Sequence, residues 1–299
     1  MYDLVVVGHL AIDWVELRGK KYTSRLGGPP AFCGLTAKTL NAKRVAIVSK
    51  VGSDFSDDFL LALVKSGLDV SAVTKVEGPT TRFYLKYHKK KRDLRLMAKC
   101  EPIFPEDVPD THLQTNAAIL SPIANEIPDK TIVRLLGTPE IVAVDLQGFV
   151  RRFDDEGNMM IGEWKNRKRY VRNIDVIKGT EEEIAAACRV EGVEQAAQAL
   201  SNYGARIVIA TRGQKGAIFW INGEFFEVRA VKPIRYVDST GAGDIFLAAF
   251  VFELSLTDDP YHAATFATLM SSLSLGGLGI GDLPTREAVE ERIKGLRIE

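Results

Sequence analysis

Short, nearly uninterrupted runs of Val, Ile and Leu recur along this chain, separated by stretches with helical periodicity. LVVVG (4–8), RVAIVS (44–49), AAILS (117–121), IVAVD (141–145), IDVIK (174–178) and RIVIATR (206–212) read as strands buried on both faces. Helical patterns lie between or beside them: PAFCGLTAKTL after Gly28, DDFLLALVKSG from Asp57, EEEIAAAC from Glu181 and VEQAAQALSNYG from Val193. This alternation predicts an α/β fold, a central, mostly parallel β-sheet flanked by helices. Residues 11–26 and 80–98 break the pattern by alternating apolar with polar residues, with a charged turn at 89–93. They predict a small antiparallel β flap, or lid, beside the main sheet. From Gly241 onward helix follows helix, and the whole of 1–299 is expected to form one domain carrying that lid.

Composition narrows the function classes. The 299 residues carry 39 Lys and Arg against 39 Asp and Glu. A zero net charge gives no bulk attraction to nucleic acid or to an anionic membrane, so any phosphate recognition must be local. The dense basic run Lys89, Lys90, Lys91 and Arg92 sits at a hairpin tip and reads as a solvated turn. No apolar stretch approaches the roughly 18 residues of a membrane span, and the N-terminus reads as a core strand with no basic segment ahead of it. Cys33, Cys100 and Cys188 are too few and too scattered for a disulfide framework or a zinc site. A cytoplasmic protein without nucleic-acid or membrane partners is expected.

The strongest local signal is VDSTGAGDIFLAAF, residues 237–250, in which a polar glycine turn leads directly into an apolar helix. Glycines permit positive φ and close ligand approach, while the free amides of a first helical turn and the helix dipole favour an anion. Gly241, Ala242 and Gly243 are therefore candidate phosphate-holding amides. Asp244 falls in that first turn, placed to take a proton from a hydroxyl attacking a phosphoryl group. The same carboxylate would also complement the helix dipole with no catalytic role. Asp145, Gln147 and Arg151 in VAVDLQGFVRR (142–152) offer an acceptor, an amide and a forked donor where a strand ends, which suits a polyhydroxylated or anionic substrate.

With these motifs in place, the sequence resembles the ribokinase-like (PfkB) family of carbohydrate and nucleoside kinases along essentially its whole length. DSTGAGDIFLAAF resembles the C-terminal signature, which implies that Asp244 is the catalytic base, touching the substrate hydroxyl, and that the amides of Gly241, Ala242 and Gly243 form the anion hole. RLGGPPAFCGLTAKTL (25–40) is similar to the N-terminal signature, which implies that Gly27 and Gly28 line the substrate pocket. Asp13 in GHLAIDWV falls where the family places an Asp that holds sugar hydroxyls. ATRGQKGAIFW (210–220) resembles the nucleotide-binding turn, implying that Thr211, Arg212, Gly213 and Gly216 contact ATP together with Gly243.

One element departs from the family. Where relatives carry Asn-x-x-Glu, which helps position magnesium through water, IKGTEEEIAA has Thr180 and Glu183. Thr180 as N-cap with Glu183 three residues on is also a capping box that needs no metal. The resemblance implies ATP and Mg2+ as cofactors, with Glu183 on the metal side and Asp13, Gly28, Gln147 and Arg151 holding the acceptor. The run around Gln147 and Arg151 looks like one in archaeal relatives that phosphorylate myo-inositol. The expected activity is thus ATP-dependent phosphorylation of a small sugar or cyclic polyol, myo-inositol first. The alternatives are a nucleoside or simple-sugar kinase acting on ribose, fructose or 2-keto-3-deoxygluconate, or a non-catalytic sugar- or nucleotide-binding protein. Phe83, Leu85, Leu94 and Leu96 would either cover the pocket or pair two lids in a homodimer.

Overall fold

The structure, a computed structural model, describes residues 1–17, 19–87, 92–233 and 235–296. The basic run at 89–91 lies outside the described residues. The first half of the chain supplies β1 (Tyr2–Val7), β2 (Ala11–Leu17), β3 (Lys20–Gly27), α1 (Pro29–Thr39), β4 (Val45–Gly52), α2 (Asp57–Lys65), β5 (Leu68–Val76), β6 (Arg82–Tyr87), β7 (Arg92–Ala98) and β8 (Thr115–Leu120). The second half supplies β9 (Ile141–Asp145), β10 (Arg151–Phe153), β11 (Met159–Ile161), β12 (Val176–Thr180), α3 (Glu181–Cys188), α4 (Val193–Asn202), β13 (Ile207–Thr211), β14 (Ala217–Ile221) and β15 (Glu224–Val228). Three longer helices follow: α5 (Ala242–Thr257), α6 (Pro260–Ser274) and α7 (Arg286–Leu296).

Nine strands form the main sheet in the order β15-β14-β13-β12-β9-β8-β1-β4-β5. It is parallel from β13 to β5, and β14 and β15 close one edge antiparallel. The apolar runs have the cause expected of them. Along β1, Leu4 and Val6 enter the apolar cluster on one face of the sheet, while Val5 and Val7 enter the cluster on the other. Each such side chain contributes about 1.5–3 kcal/mol by leaving water, so a polar residue in mid-strand would be costly. α5 is buried from Ile245 to Leu254, apolar nearly all round, because it lies between the sheet and α6.

The ladder runs further than the apolar runs suggested. Beyond the apolar run 174–178, β12 continues through Gly179 and Thr180, paired with Ala210 and Thr211 of β13. β5 escaped the sequence reading because an edge strand mixes polar with apolar residues.

The lid is a four-stranded sheet in the order β3-β2-β6-β7. Two antiparallel hairpins join side by side through a parallel β2–β6 pairing. Phe83 and Leu85 are buried within the chain against Ala11, Val15, Ile123 and Ala124, with Leu94 and Leu96 packed beside them. Phe83 and Leu85 are thus covered inside one copy of the chain, while Leu94 and Leu96 are covered in part. A buried histidine secures the lid's root. His9 Nε2 faces the Glu101 carbonyl at 2.8 Å and His9 Nδ1 faces the Thr81 hydroxyl at 2.8 Å. The carbonyl can only accept, so Nε2 donates and Nδ1 accepts from Thr81.

Candidate active site

From β1 the chain proceeds outward to β4 and β5, then returns to β8 and proceeds the other way to β9, β12 and β13. The reversal between β1 and β8 puts a topological switch point at the carboxyl ends of the strands, the usual ligand position in open α/β sheets. Ser121, just past β8, donates its amide to the Val7 carbonyl at 2.9 Å and so draws the two strand ends together.

The GAGD turn lies at these strand ends, with Asp244 linked through Gln147 to Ser121 just past β8. Gly241 has φ +76°, and a side chain there would run into the Phe32 ring of α1. The Cys33 thiol, one residue on, donates to the Asp244 carbonyl oxygen at 3.3 Å. The two glycine-rich signatures, more than 200 positions apart, therefore pack against one another. α1 is entered through Gly28, at φ +91°, where a Cβ would collide with the His9 carbonyl. Asp13 is buried on β2 with its carboxylate against Gly27, so Asp13, Gly27 and Gly28 form one corner at the lid's root.

Asp244 and the two loops beneath it form a compact charged cluster. Gln147 Nε2 donates to Asp244 Oδ1 at 3.1 Å and reaches Ser121 Oγ at 3.4 Å. Lys178 of β12 and Asp145 of β9 are partners across the ladder. Lys178 Nζ donates to Asp145 Oδ2 at 2.7 Å. Lys178 also lies under the first turn of α5, where a Cβ on Gly243 would stand 2.8 Å from its Nζ. Arg151 Nη2 meets Glu183 Oε1 at 3.3 Å, with side chains 11% and 5% exposed.

These neighbours set the protonation states. Asp244 keeps part of its surface open, but protein atoms crowd its carboxyl group. That desolvation, with the Asp145 charge, pushes its pKa up to about 6 against the pull of Lys178, Arg151 and the Gln147 hydrogen bond. Burial likewise pushes Asp145 up, with Lys178 opposing. Burial works against the Lys178 charge, yet Asp145, Asp244 and Glu183 together hold its pKa above the ordinary lysine value. Glu183 is held below the ordinary value because Arg151 and Lys178 outweigh its burial.

The remaining expected residues fall along the same strand edge. Thr211 ends β13 opposite Thr180 and donates to the Gly179 carbonyl at 3.3 Å. Arg212 is tied to Glu227 and lies 3.8 Å from Glu181. Gly213 and Gly216 make the following turn with positive φ. Lys178 has no signature in the sequence: a single Lys at the end of an apolar run carries no periodic signal, and its register with Asp145 reveals it.

Magnesium was expected to be positioned through water by Glu183, and the residues present do not fit an ion ligated directly by the protein. Glu183 Oε2 accepts from the Thr180 amide at 2.9 Å in a complete capping box, and Oε1 faces Arg151. Asp145 is committed to Lys178 and to the Gln147 amide. Among the described residues no group of three or more His, Cys, Asp or Glu is arranged to hold a metal ion.

Known proteins resemble this chain in sequence and in fold. A cytidine kinase of Thermococcus kodakarensis is 31% identical over 260 residues, covering 84% of this chain and 88% of the relative. An inositol 3-kinase of Oryza sativa subsp. japonica is 29% identical over 296 residues, covering 92% of this chain and 69% of the relative. Among solved structures, a pyrophosphate-dependent kinase in the ribokinase family, complexed with a pyrophosphate analog and myo-inositol, superposes with TM-score 0.81 at 21% identity, covering 97% and 99% of the two chains. Arabidopsis thaliana ribokinase complexed with ribose and ATP superposes with TM-score 0.76 at 22% identity, covering 98% and 99%. These two likenesses speak for the fold. Residues 151–286 match the pfkB family carbohydrate kinase profile. The chain belongs to the pfkB family of carbohydrate kinases.

Proposed function

We propose that this chain transfers the terminal phosphoryl group of ATP to a hydroxyl of a small polyhydroxylated acceptor, myo-inositol first. The observation that carries this reading is Asp244: a carboxylate in the first turn of α5, oriented by Gln147 and with its pKa at about 6. Such a base is ionised at neutral pH and still basic enough to share a proton in the transition state.

In the reaction, the acceptor hydroxyl attacks the terminal phosphorus and passes its proton to Asp244, and the bond from phosphorus to the bridging oxygen breaks to release ADP. The amides of Gly241, Ala242 and Gly243 hold the phosphoryl oxygens as preorganised dipoles, with removal of one such donor costing about 3–4 kcal/mol in comparable sites. Asp13, with Gly27 and Gly28, holds the acceptor at the root of the lid. Thr211 and the Gly213 to Gly216 turn receive the nucleotide along the strand edge. Magnesium carried on the ATP phosphates arrives with the donor. The three free cysteines are all buried, which accords with a reducing cytoplasm.

A second acceptor class has its own support. The Thermococcus cytidine kinase is more similar to this chain than the rice inositol kinase is, 31% against 29%. A turnover panel of myo-inositol, cytidine, ribose, fructose and 2-keto-3-deoxygluconate with ATP tests both. Turnover of myo-inositol above the others supports the leading reading, and turnover of cytidine alone replaces it. Binding without any product would make the chain a non-catalytic member of its family.

A further inference from the structure

Arg151 is held from three sides, yet its guanidinium is left incomplete. Its carbonyl accepts from Asn125 Nδ2 at 2.6 Å and from Arg152 Nη1 at 2.8 Å, which fixes the backbone where β10 starts. Its Nη2 donates to Glu183 at 3.3 Å, and the side chain is 11% exposed. Its Nε is buried without a hydrogen-bond partner. A folded chain seldom leaves a buried guanidinium N–H unsatisfied unless an acceptor arrives from elsewhere. The nearby charges narrow the kind of acceptor. Asp145, Asp244 and Glu183 crowd this corner with carboxylates, and Lys178 is engaged by Asp145. Arg151 thus keeps spare donors in a fork whose geometry matches a phosphoryl group.

Glu183 has the complementary arrangement. One carboxylate oxygen completes the capping box of α3 and the other faces Arg151. That geometry suits a residue that orients a guanidinium, since neither oxygen is without a protein donor. We propose that Arg151 is a catalytic cation that contacts the transferring phosphoryl group, and that Glu183 is its positioning residue rather than a metal-side group. The proposal rests on the kinase reading above and moves Arg151 from the acceptor to the phosphoryl side.

The test uses Glu183→Gln, which keeps a carbonyl oxygen for the Thr180 amide and replaces the charged acceptor facing Arg151 by an amide NH2, together with Arg151→Gln and the double variant. Calorimetry with inorganic pyrophosphate in EDTA reads the anion site without metal or turnover. The expected result is an affinity at least tenfold weaker in R151Q, several-fold weaker in E183Q, and no weaker in the double variant than in R151Q alone. In turnover, the magnesium concentration giving half-maximal velocity should stay within twofold of wild type in E183Q while kcat falls. The proposal is overturned if wild type binds no pyrophosphate in EDTA, if R151Q binds it as wild type does, or if E183Q raises the magnesium requirement tenfold. Absence of turnover on every acceptor would instead remove the kinase reading, while pyrophosphate binding would still report on Arg151.

Discussion

Substituting Lys178 by Met removes one half of an ion pair that the fold has taken out of water. The Nζ and Oδ2 atoms are 2.7 Å apart, with side chains 6% and 0% exposed. In K178M the Asp145 carboxylate stays buried with its cation gone, and breaking such a pair costs about 3–5 kcal/mol. For a chain of this size that corresponds to a melting temperature lower by roughly 10 °C. The deficit should depend on pH with a definite sign. Burial already pushes the Asp145 pKa up, and losing Lys178 raises it further, so folded K178M takes up a proton that the unfolded chain binds only at lower pH. The stability gap to wild type should therefore shrink as pH falls from 8 to about 5. Replacing both partners, as D145L/K178M, leaves no uncompensated charge and should cost far less than K178M alone. Urea unfolding of the three proteins across pH measures this. A K178M deficit under about 1 kcal/mol, or a double variant as unstable as the single one, would refute the reasoning.

Two further outcomes follow from the α5 turn. Gly241→Ala sets a side chain at φ +76° against the Phe32 ring, so the first turn of α5 must shift; turnover should fall at least 100-fold, by steady-state assay, as the amides leave their positions. Asp244→Asn should stabilise the protein at neutral pH: the folded pKa of about 6 lies above the ordinary 3.8, so wild type holds its full Asp244 contribution below about pH 4 and loses it as pH rises through 6. Because Asp244 is partly open to solvent, the gain at pH 7.5 should be about 1–2 kcal/mol, read from urea midpoints, and should vanish near pH 4.

Much of this fold was written in doubly buried strands, whose short Val, Ile and Leu runs stand out along the chain. What stayed hidden was polar. β5 and the β10–β11 hairpin mix residue types as exposed edges do, and the polar end of β12 concealed two more ladder pairs. In the candidate site, Gly241 and Asp244 were legible because a glycine turn entering an apolar helix is a local pattern. The partners of Asp145 and Arg151 lie 33 and 32 positions away, joined by register and tertiary packing alone. Glu183 carries two readings at once: a capping box and a metal-side role call for the same carboxylate, and its contact with Arg151, 32 positions away, has no local signal in the sequence.

The central claim, that Asp244 is the base, is tested most directly by the pH dependence of kcat/KM in wild type and Asp244→Ala, using whichever acceptor the panel selects. Wild type should rise with unit slope and level off above a midpoint near pH 6. D244A should lose at least about 100-fold and with it the acid limb. Turnover by D244A within about tenfold of wild type, a barrier change of roughly 1.4 kcal/mol, or an acid limb that survives the substitution, would contradict the account.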